Sequence, residues 1–384
     1  MLEQTIRIFF AGDFCSKAST TKISVSEELK SKIQSCDLKV VNFEVPLKPE
    51  GVQLPPQGRE RFYQHDDSPD FLRSLGFNLF TMANNHAFDW GEEGFLKTKK
   101  ALGDAAFGAG NYEEAYKVKI VEMNGVKIGF MALSFAAYKG VFDDVMNHEG
   151  LGCAYVNDLR VNHDIVEAKQ RVDFLFIIPH DGVEYVDIPL PETIARYRDF
   201  VDWGADGVIA SHSHCPQGWE VYKGKPIFYS LGNFLFNSKE GYAYRATNRP
   251  HWYEGLCVII TIENNNISWV VVNSRNLDNM RLEIDNIDER EKHNSYICNL
   301  LNNQAEYKEL LKSECERLAE VQELPIINSA LFNNSFGLTL RSLVKLMVKR
   351  IAQKSFPRER ELLYLLKNET RRLIVERSLR FHRS

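Results

Sequence analysis

Five short apolar runs in this chain each lead into a polar side chain of a particular kind, and no other feature restricts the fold as much. Ile6–Ala11 (IRIFFA) runs into Gly12-Asp13, and Leu38–Phe43 (LKVVNF) into Glu44. Phe77–Ala83 (FNLFTMA) runs into Asn84-Asn85-His86, and Asp173–Ile178 (DFLFII) into Pro179-His180. The fifth opens the stretch Asp206–Phe236, DGVIASHSHCPQGWEVYKGKPIFYSLGNFLF, and delivers His212 and His214 two residues apart. Apolar runs of this length bounded by turn signals read as buried strands. Helical patterns over 26–35, 69–75, 91–102, 162–171 and 191–203 fall between or beside them. Strands alternating with helices predict an α/β fold, in which ligands collect at the carboxyl ends of the strands.

Other segments fill in the frame. Val118–Met123 and Lys127–Phe135 flank Asn124-Gly125, a strong two-residue hairpin signal. Phe107–Gly110 (FGAG) is predicted as one short strand, and Gly255–Ile262 with Ile267–Asn273 as a closing antiparallel pair. Past Leu282 the character changes. Asp285–Gln322 is polar and helical, and 337–384 is amphipathic with roughly three Lys or Arg per acidic residue. The predicted organisation is therefore a domain over 1–282 and a helical, basic extension over 283–384. The extension is either a solvated helical face or a contact for an acidic partner, a membrane synthase or anionic lipid.

Bulk properties exclude several classes. A net charge of -5 speaks against a nucleic-acid partner. Seven scattered cysteines without a CxxC suit a reducing compartment better than a disulfide framework. MLEQTIRIFFAGDF enters a strand directly, and no stretch of about 18 apolar residues occurs, so the expectation is a cytoplasmic protein, peripheral at most to the inner face of the membrane.

Taken singly, a carboxylate after a strand is either a turn former or a ligand, and a lone His-x-His is a weak signal. Together, Asp13, Glu44, Asn85, His86, His180, His212 and His214 make a carboxylate and imidazole set suited to two divalent ions, with one oxygen ligand shared. Thiolates are not needed, which fits Mn, Fe or Zn. Such a pair of ions activates water for in-line attack at phosphorus, and an imidazole outside the ligand set could protonate the leaving oxygen.

The strings GD, NFEVPL, ANNHAFDWGEEG, HDGVEY and GADGVIASHSHCPQGWEVYKGKPIFYSLGNFLF resemble the capsule-synthesis CapA, or poly-γ-glutamate biosynthesis, family over about residues 5 to 275. That family looks like a branch of the calcineurin-like metallophosphoesterases. The resemblance implies a four-layer α/β/β/α sandwich with metals at one sheet edge. It implies that Asp13 and His214 hold one metal, that Glu44 bridges, and that Asn85, His180 and His212 hold the second. It makes His86 the general acid, with Asp89 orienting it, and sets Glu184, Tyr185, Gln217 and Asn233 near the pocket. Arg61, in the loop that follows the Pro-, Gly- and Gln-rich stretch, is either a solvated loop charge or a contact for an anionic substrate. The implied function is a metal-dependent hydrolase or transferase of capsule or envelope polymer biosynthesis. Its substrate would be an anionic polymer, through a γ-glutamyl or other linkage, or a phosphorylated small molecule. The rival reading is a catalytically degenerate accessory module that binds such a polymer or a synthase. Three positions depart from the pattern. Cys15 stands where phosphoesterases have histidine, as either a soft ligand or a buried structural thiol; Asp181 replaces a frequent tryptophan, and Ser211 a frequent histidine.

Overall fold

The structure is a computed structural model that describes residues 5–52, 62–136, 140–144, 148–237, 250–277 and 280–318, together with 373, 374 and 377. It contains two compact units, one of 1–54, 61–135 and 139–302, the other of 55–60, 136–138 and 303–384.

The first unit is built on two large sheets. Its strands are β1 (Ile6–Ser16), β2 (Ser24–Val25), β3 (Leu38–Phe43), β4 (Leu79–Thr81), β5 (Ala106–Phe107), β6 (Ala109–Gly110), β7 (Lys119–Met123), β8 (Val126–Ser134) and β9 (Gly152–Cys153). They continue as β10 (Phe174–His180), β11 (Gly207–Ile209), β12 (Trp219–Tyr222), β13 (Lys225–Phe228), β14 (Asn233–Asn237), β15 (Glu254–Glu263), β16 (Asn266–Leu277) and β17 (Arg281–Ile284). The helices are α1 (Glu27–Gln34), α2 (Ser68–Ser74), α3 (Gly91–Leu102), α4 (Tyr112–Tyr116), α5 (Arg160–Lys169), α6 (Pro191–Trp203) and α7 (Asp288–Leu300).

One sheet runs β2-β17-β16-β15-β1-β3-β4-β5, the other β12-β13-β11-β10-β8-β7, and β6 pairs with β9 apart from both. The predicted FGAG strand is thus two strands in different sheets, split at Gly108, and the run at 77–83 forms a strand only over Leu79–Thr81. The hairpin at Asn124-Gly125 joins β7 to β8 as expected.

Strand β1 shows why both faces of these runs are apolar. Successive side chains point to opposite faces of a sheet. Phe10 lies 6.3 Å from Phe130 and 5.6 Å from Phe176, ring to ring, and so joins the two sheets. Phe9, on the other face, meets Phe77 at 6.1 Å. Burial on both sides removes the polar alternation of a one-sided strand.

Midway along β1 the pairing changes. Ile6–Phe10 pairs antiparallel with β15, whereas Asp13–Ser16 pairs parallel with β14, and the register with β3 shifts between Phe10 and Asp13. The exchange of partners requires Gly12. A Cβ there would lie 1.9 Å from the Gly232 carbonyl oxygen, the same oxygen that accepts the Asp13 N–H at 3.0 Å. Asp13 is thereby aimed from a point where the strand is flanked by β3 and β14.

In the second unit, α8 (Gln304–Leu318) buries Tyr307, Leu311, Cys315 and Leu318, a single helical stripe. The basic run at 337–384 lies almost wholly outside the described residues. Among the described residues, no helix is long and apolar enough to cross a membrane.

Candidate metal centre

All seven residues singled out at the strand ends are buried, and six of them gather at one place. Asp13 comes from β1, Glu44 follows β3, Asn85 and His86 follow β4, His180 ends β10, and His212 and His214 follow β11. His180 Nε2 lies 2.9 Å from Asn85 Oδ1 and 3.1 Å from His212 Nδ1. His214 Nδ1 lies 3.6 Å from Asp13 Oδ2. Glu44 Oε1 stands between the two groups, 3.9 Å from His180 Nε2 and 3.8 Å from His214 Nε2. Metal–ligand bonds of about 2.0–2.2 Å place neighbouring ligand atoms roughly 3 Å apart, so the Asn85, His180 and His212 spacings suit ligands sharing an ion, and His214 presents its Nε2 to Glu44.

Glu44 supplies the test of fit. It is 0 % exposed, and neither of its oxygens has a hydrogen-bond partner in the structure. A buried carboxylate left in that state is costly unless a cation meets it. Burial first, then the charges of Asp13 and Glu184, push the Glu44 carboxyl well above its ordinary range. Burial pushes Asp13 the same way, but hydrogen bonding and charge from His180, followed by His214, more than offset it and hold Asp13 at about 2. Burial also lowers His214 to about 4, keeping its imidazole neutral and able to ligate. One carboxylate is thus ionised and its neighbour is driven towards protonation, the pattern of two like charges in a site lacking counter-charge. The donor set fits one or two divalent ions.

The loops around these residues are strained. Val45, Tyr185, His212 and His214 all have positive φ, at 68°, 65°, 113° and 57°. Such backbone is rare outside glycine and asparagine, and for a β-branched valine it is a true outlier. Strain of this kind persists where the surrounding structure over-determines it, as at binding and catalytic sites.

His86 is paired with a carboxylate of its own loop. Its Nδ1 is 2.9 Å from Asp89 Oδ2, and its ring meets the edge of Phe62 at 5.2 Å between centroids. Asp89 also accepts the Phe62 N–H at 3.2 Å.

The residues expected near the substrate divide. Tyr185 is half-buried and stacks over His214 at 5.9 Å, and Glu184 is half-buried beside it. Asn233 Oδ1 accepts from His214 Nδ1 at 2.9 Å, while its amide nitrogen donates to the Trp252 carbonyl at 3.0 Å; it orients a ring. Gln217 spends its amide protons on the carbonyls of Val186 and Ile188, at 2.8 and 3.2 Å, and braces that loop. Arg61 lies outside the described residues. Cys15 is buried among Val45, Phe236, Trp252 and Tyr253, an apolar cluster, rather than in the Asp13–Glu44–His180 group. Ser211 bonds His180 Nδ1 at 3.2 Å.

Two residues escaped the sequence reading. Asn42 donates to Asp13 Oδ1 at 2.7 Å and approaches His180 Nδ1 at 3.1 Å, while its oxygen accepts from Thr81 at 3.0 Å. Gln64 clamps three backbone groups, donating to the Phe14 and Glu44 carbonyls at 2.6 and 2.8 Å and accepting the Ser16 N–H at 2.8 Å. An asparagine inside the apolar run LKVVNF was the available signal for the first. Gln64 has none, because its partners are main-chain atoms.

The family model described as bacterial capsule synthesis protein PGA_cap matches residues 7–238. The chain belongs to that family. Among PGA_cap relatives, the capsule biosynthesis protein CapA of Bacillus anthracis is 32% identical over 174 residues, covering 43% of this chain and 42% of the relative. The PGA biosynthesis protein CapA of Bacillus subtilis is 28% identical over 220 residues, covering 56% and 57%. A probable polyglutamine synthesis accessory protein of Mycobacterium tuberculosis is 24% identical over 211 residues, covering 52% and 55%. The chain therefore spans about half the length of these relatives. A solved structure described as a novel phosphatase from Mycoplasma pneumoniae is similar at a TM-score of 0.43 and 16% identity, over 72% of this chain and 97% of that one.

Proposed function

We propose that this PGA_cap protein is a metal-dependent hydrolase or transferase acting in capsule or cell-envelope polymer biosynthesis. The observation that carries the reading is Glu44, a fully buried carboxylate with both oxygens unpartnered, facing two histidines and a second carboxylate. In this reading Asp13, His214, Asn85, His180 and His212, with Glu44 between them, would hold the divalent ions. Bound divalent ions would supply Lewis-acid activation of water and neutralise charge developing on an anionic group. The chain's own residues supply the rest. Asp89 fixes the His86 ring through Nδ1, which leaves Nε2 as the nitrogen that would donate a proton to a leaving oxygen. Asn42 and Asn233 keep His180, Asp13 and His214 in register. The substrate classes are a phosphoester and a γ-glutamyl or similar linkage of a polyanion, met in the cytoplasm or at the inner membrane face.

Elemental analysis of the purified protein beside His212→Ala, followed by turnover on a phosphoester and γ-glutamyl panel, tests this. About two equivalents of Mn, Fe or Zn, reduced in His212→Ala, together with a turnover abolished by Glu44→Ala, support it. Failure to take up metal after reconstitution, or no turnover across the panel, defeats it.

The second reading is an accessory module that binds an anionic polymer or a synthase, favoured by the mycobacterial relative described as an accessory protein. It predicts that Glu44→Ala weakens polymer binding in a protein that turns over nothing. The basic run at 337–384 would serve as its docking element, and liposome flotation unchanged on deleting those residues would reject a lipid contact.

A further inference from the structure

A second group of ligating side chains lies outside the centre described above. Asp187 belongs to the loop after β10, His251 to a 3-10 turn over Pro250–Tyr253, and His293 to α7. We propose that Asp187, His251 and His293 form a separate site for one zinc-like transition-metal ion.

The geometry carries the proposal. Both imidazoles present Nε2 to the same carboxylate oxygen, His251 at 3.2 Å and His293 at 3.6 Å from Asp187 Oδ2. Zinc bonds of 2.0–2.1 Å in a tetrahedron set ligand atoms about 3.4 Å apart, the separation seen here. The three ligand atoms all lie within 4.8 Å of one another. His293 Nε2 is buried and has no hydrogen-bond partner.

The surroundings are those of a ligating histidine. His251 Nδ1 is 2.8 Å from Glu254 Oε2, and Arg290, itself buried, holds that same oxygen. A carboxylate on the far nitrogen of an imidazole fixes the ring and raises its basicity towards a metal. The two rings stack at 4.4 Å and 13°, an arrangement that opposes double protonation. Burial, then the neighbouring His251, lowers the His293 pKa, while the bond to Glu254 raises that of His251. A cleft of about 400 Å³ opens onto both histidines, and Asp285 and Glu289 on its wall favour entry of a cation.

His251 and His293 lie beyond the residues matched by the family model, whereas Asp187 lies within them. An ion there would join three segments. One carries Trp252, whose ring packs 4.8 Å from that of His214. The outer site would therefore steady a wall of the inner one.

The experiment uses full-length, untagged protein carrying Asp13→Asn and Glu44→Gln, stripped by chelator and dialysed against Zn²⁺ or Co²⁺. The expected result is about one equivalent of metal, with visible Co²⁺ bands of a low-coordinate site, lost on adding His293→Ala. Glu254→Gln is expected to lower the affinity roughly 10–100-fold, which a simple ion pair would not do. Should the inner-site variant fail to fold, His293→Ala in the otherwise unaltered protein is expected to hold one equivalent less than its parent. Metal content unchanged by His293→Ala, or an inner-site variant that folds and binds none, overturns the proposal and leaves Asp187 as the centre of an ion-pair cluster.

Discussion

Replacing Glu44 by glutamine is expected to make the metal-free protein more stable and the metal-loaded protein less so. The parent buries a carboxylate without a hydrogen-bond partner, 3.8–3.9 Å from two imidazoles. An ion so placed costs several kcal/mol, whereas an equally buried amide with unmet bonds costs about 1–3 kcal/mol. The difference predicts a gain of about 1–3 kcal/mol, or roughly 1–5 °C in Tm for a chain of this size. The pH dependence has a definite sign. The folded pKa of Glu44 is raised above its ordinary 4.5, chiefly by burial, so folding retains a proton that the unfolded chain releases. The penalty is absent below 4.5 and grows as pH rises towards the folded value, so the gap between variant and parent should widen from pH 5 to pH 8. Metal at about 100 times its Kd stabilises the parent by about 2.7 kcal/mol per site, and the variant should lose much of that. Thermal melts of chelator-stripped and Mn²⁺-saturated protein at both pH values measure all of this. A stripped variant less stable than the parent at pH 8, or a metal-induced shift equal to the parent's, would refute the reasoning.

Three other outcomes follow from the same geometry. His86→Asn should cut turnover by about 10²–10⁴-fold with metal content unchanged, and Asp89→Asn should move it the same way by less, as read by kcat beside elemental analysis. Asn42→Ala removes bonds to both Asp13 and His180; it should cost about 1–3 kcal/mol in urea denaturation and lower metal affinity about 10–100-fold in a chelator competition. Cys15→Ser should leave metal stoichiometry unchanged while costing about 1–3 kcal/mol, because the thiol packs in an apolar cluster; loss of an equivalent would make it a ligand.

Much of the α/β frame was legible because its strands are buried on both faces. An apolar run such as IRIFFA or DFLFII has few alternative fates, and the polar residue that ends it is conspicuous. The gathering of Asp13, Glu44, Asn85, His180, His212 and His214 follows from that regularity, since each of the two packed sheets delivers the ends of its parallel strands to one edge. What was illegible is long-range or made by backbone. The pairing of β17 with β2 joins segments more than 250 residues apart through main-chain bonds. Gln64 is invisible for the same reason, as are the loop that Gln217 braces and the ring that Asn233 orients. The Asp187–His251–His293 group draws on a loop, a turn and a helix, so no spacing announces it.

The exchange of partners along β1 bears on how the protein is made. Its first half waits for β15 and its second for β14, so neither neighbour exists when β1 leaves the ribosome. Some 220 residues separate Asp13 from Asn233, about 10–40 s of synthesis at ordinary elongation rates. Through that interval an intensely apolar strand, bearing Phe9, Phe10 and Phe14, has an unpaired edge open to the wrong chain. A nascent chain halted before residue 233 thus carries all six gathered ligands without the strand that aims the first of them. Early termination or slow translation of that region should yield aggregate rather than a partly active fragment.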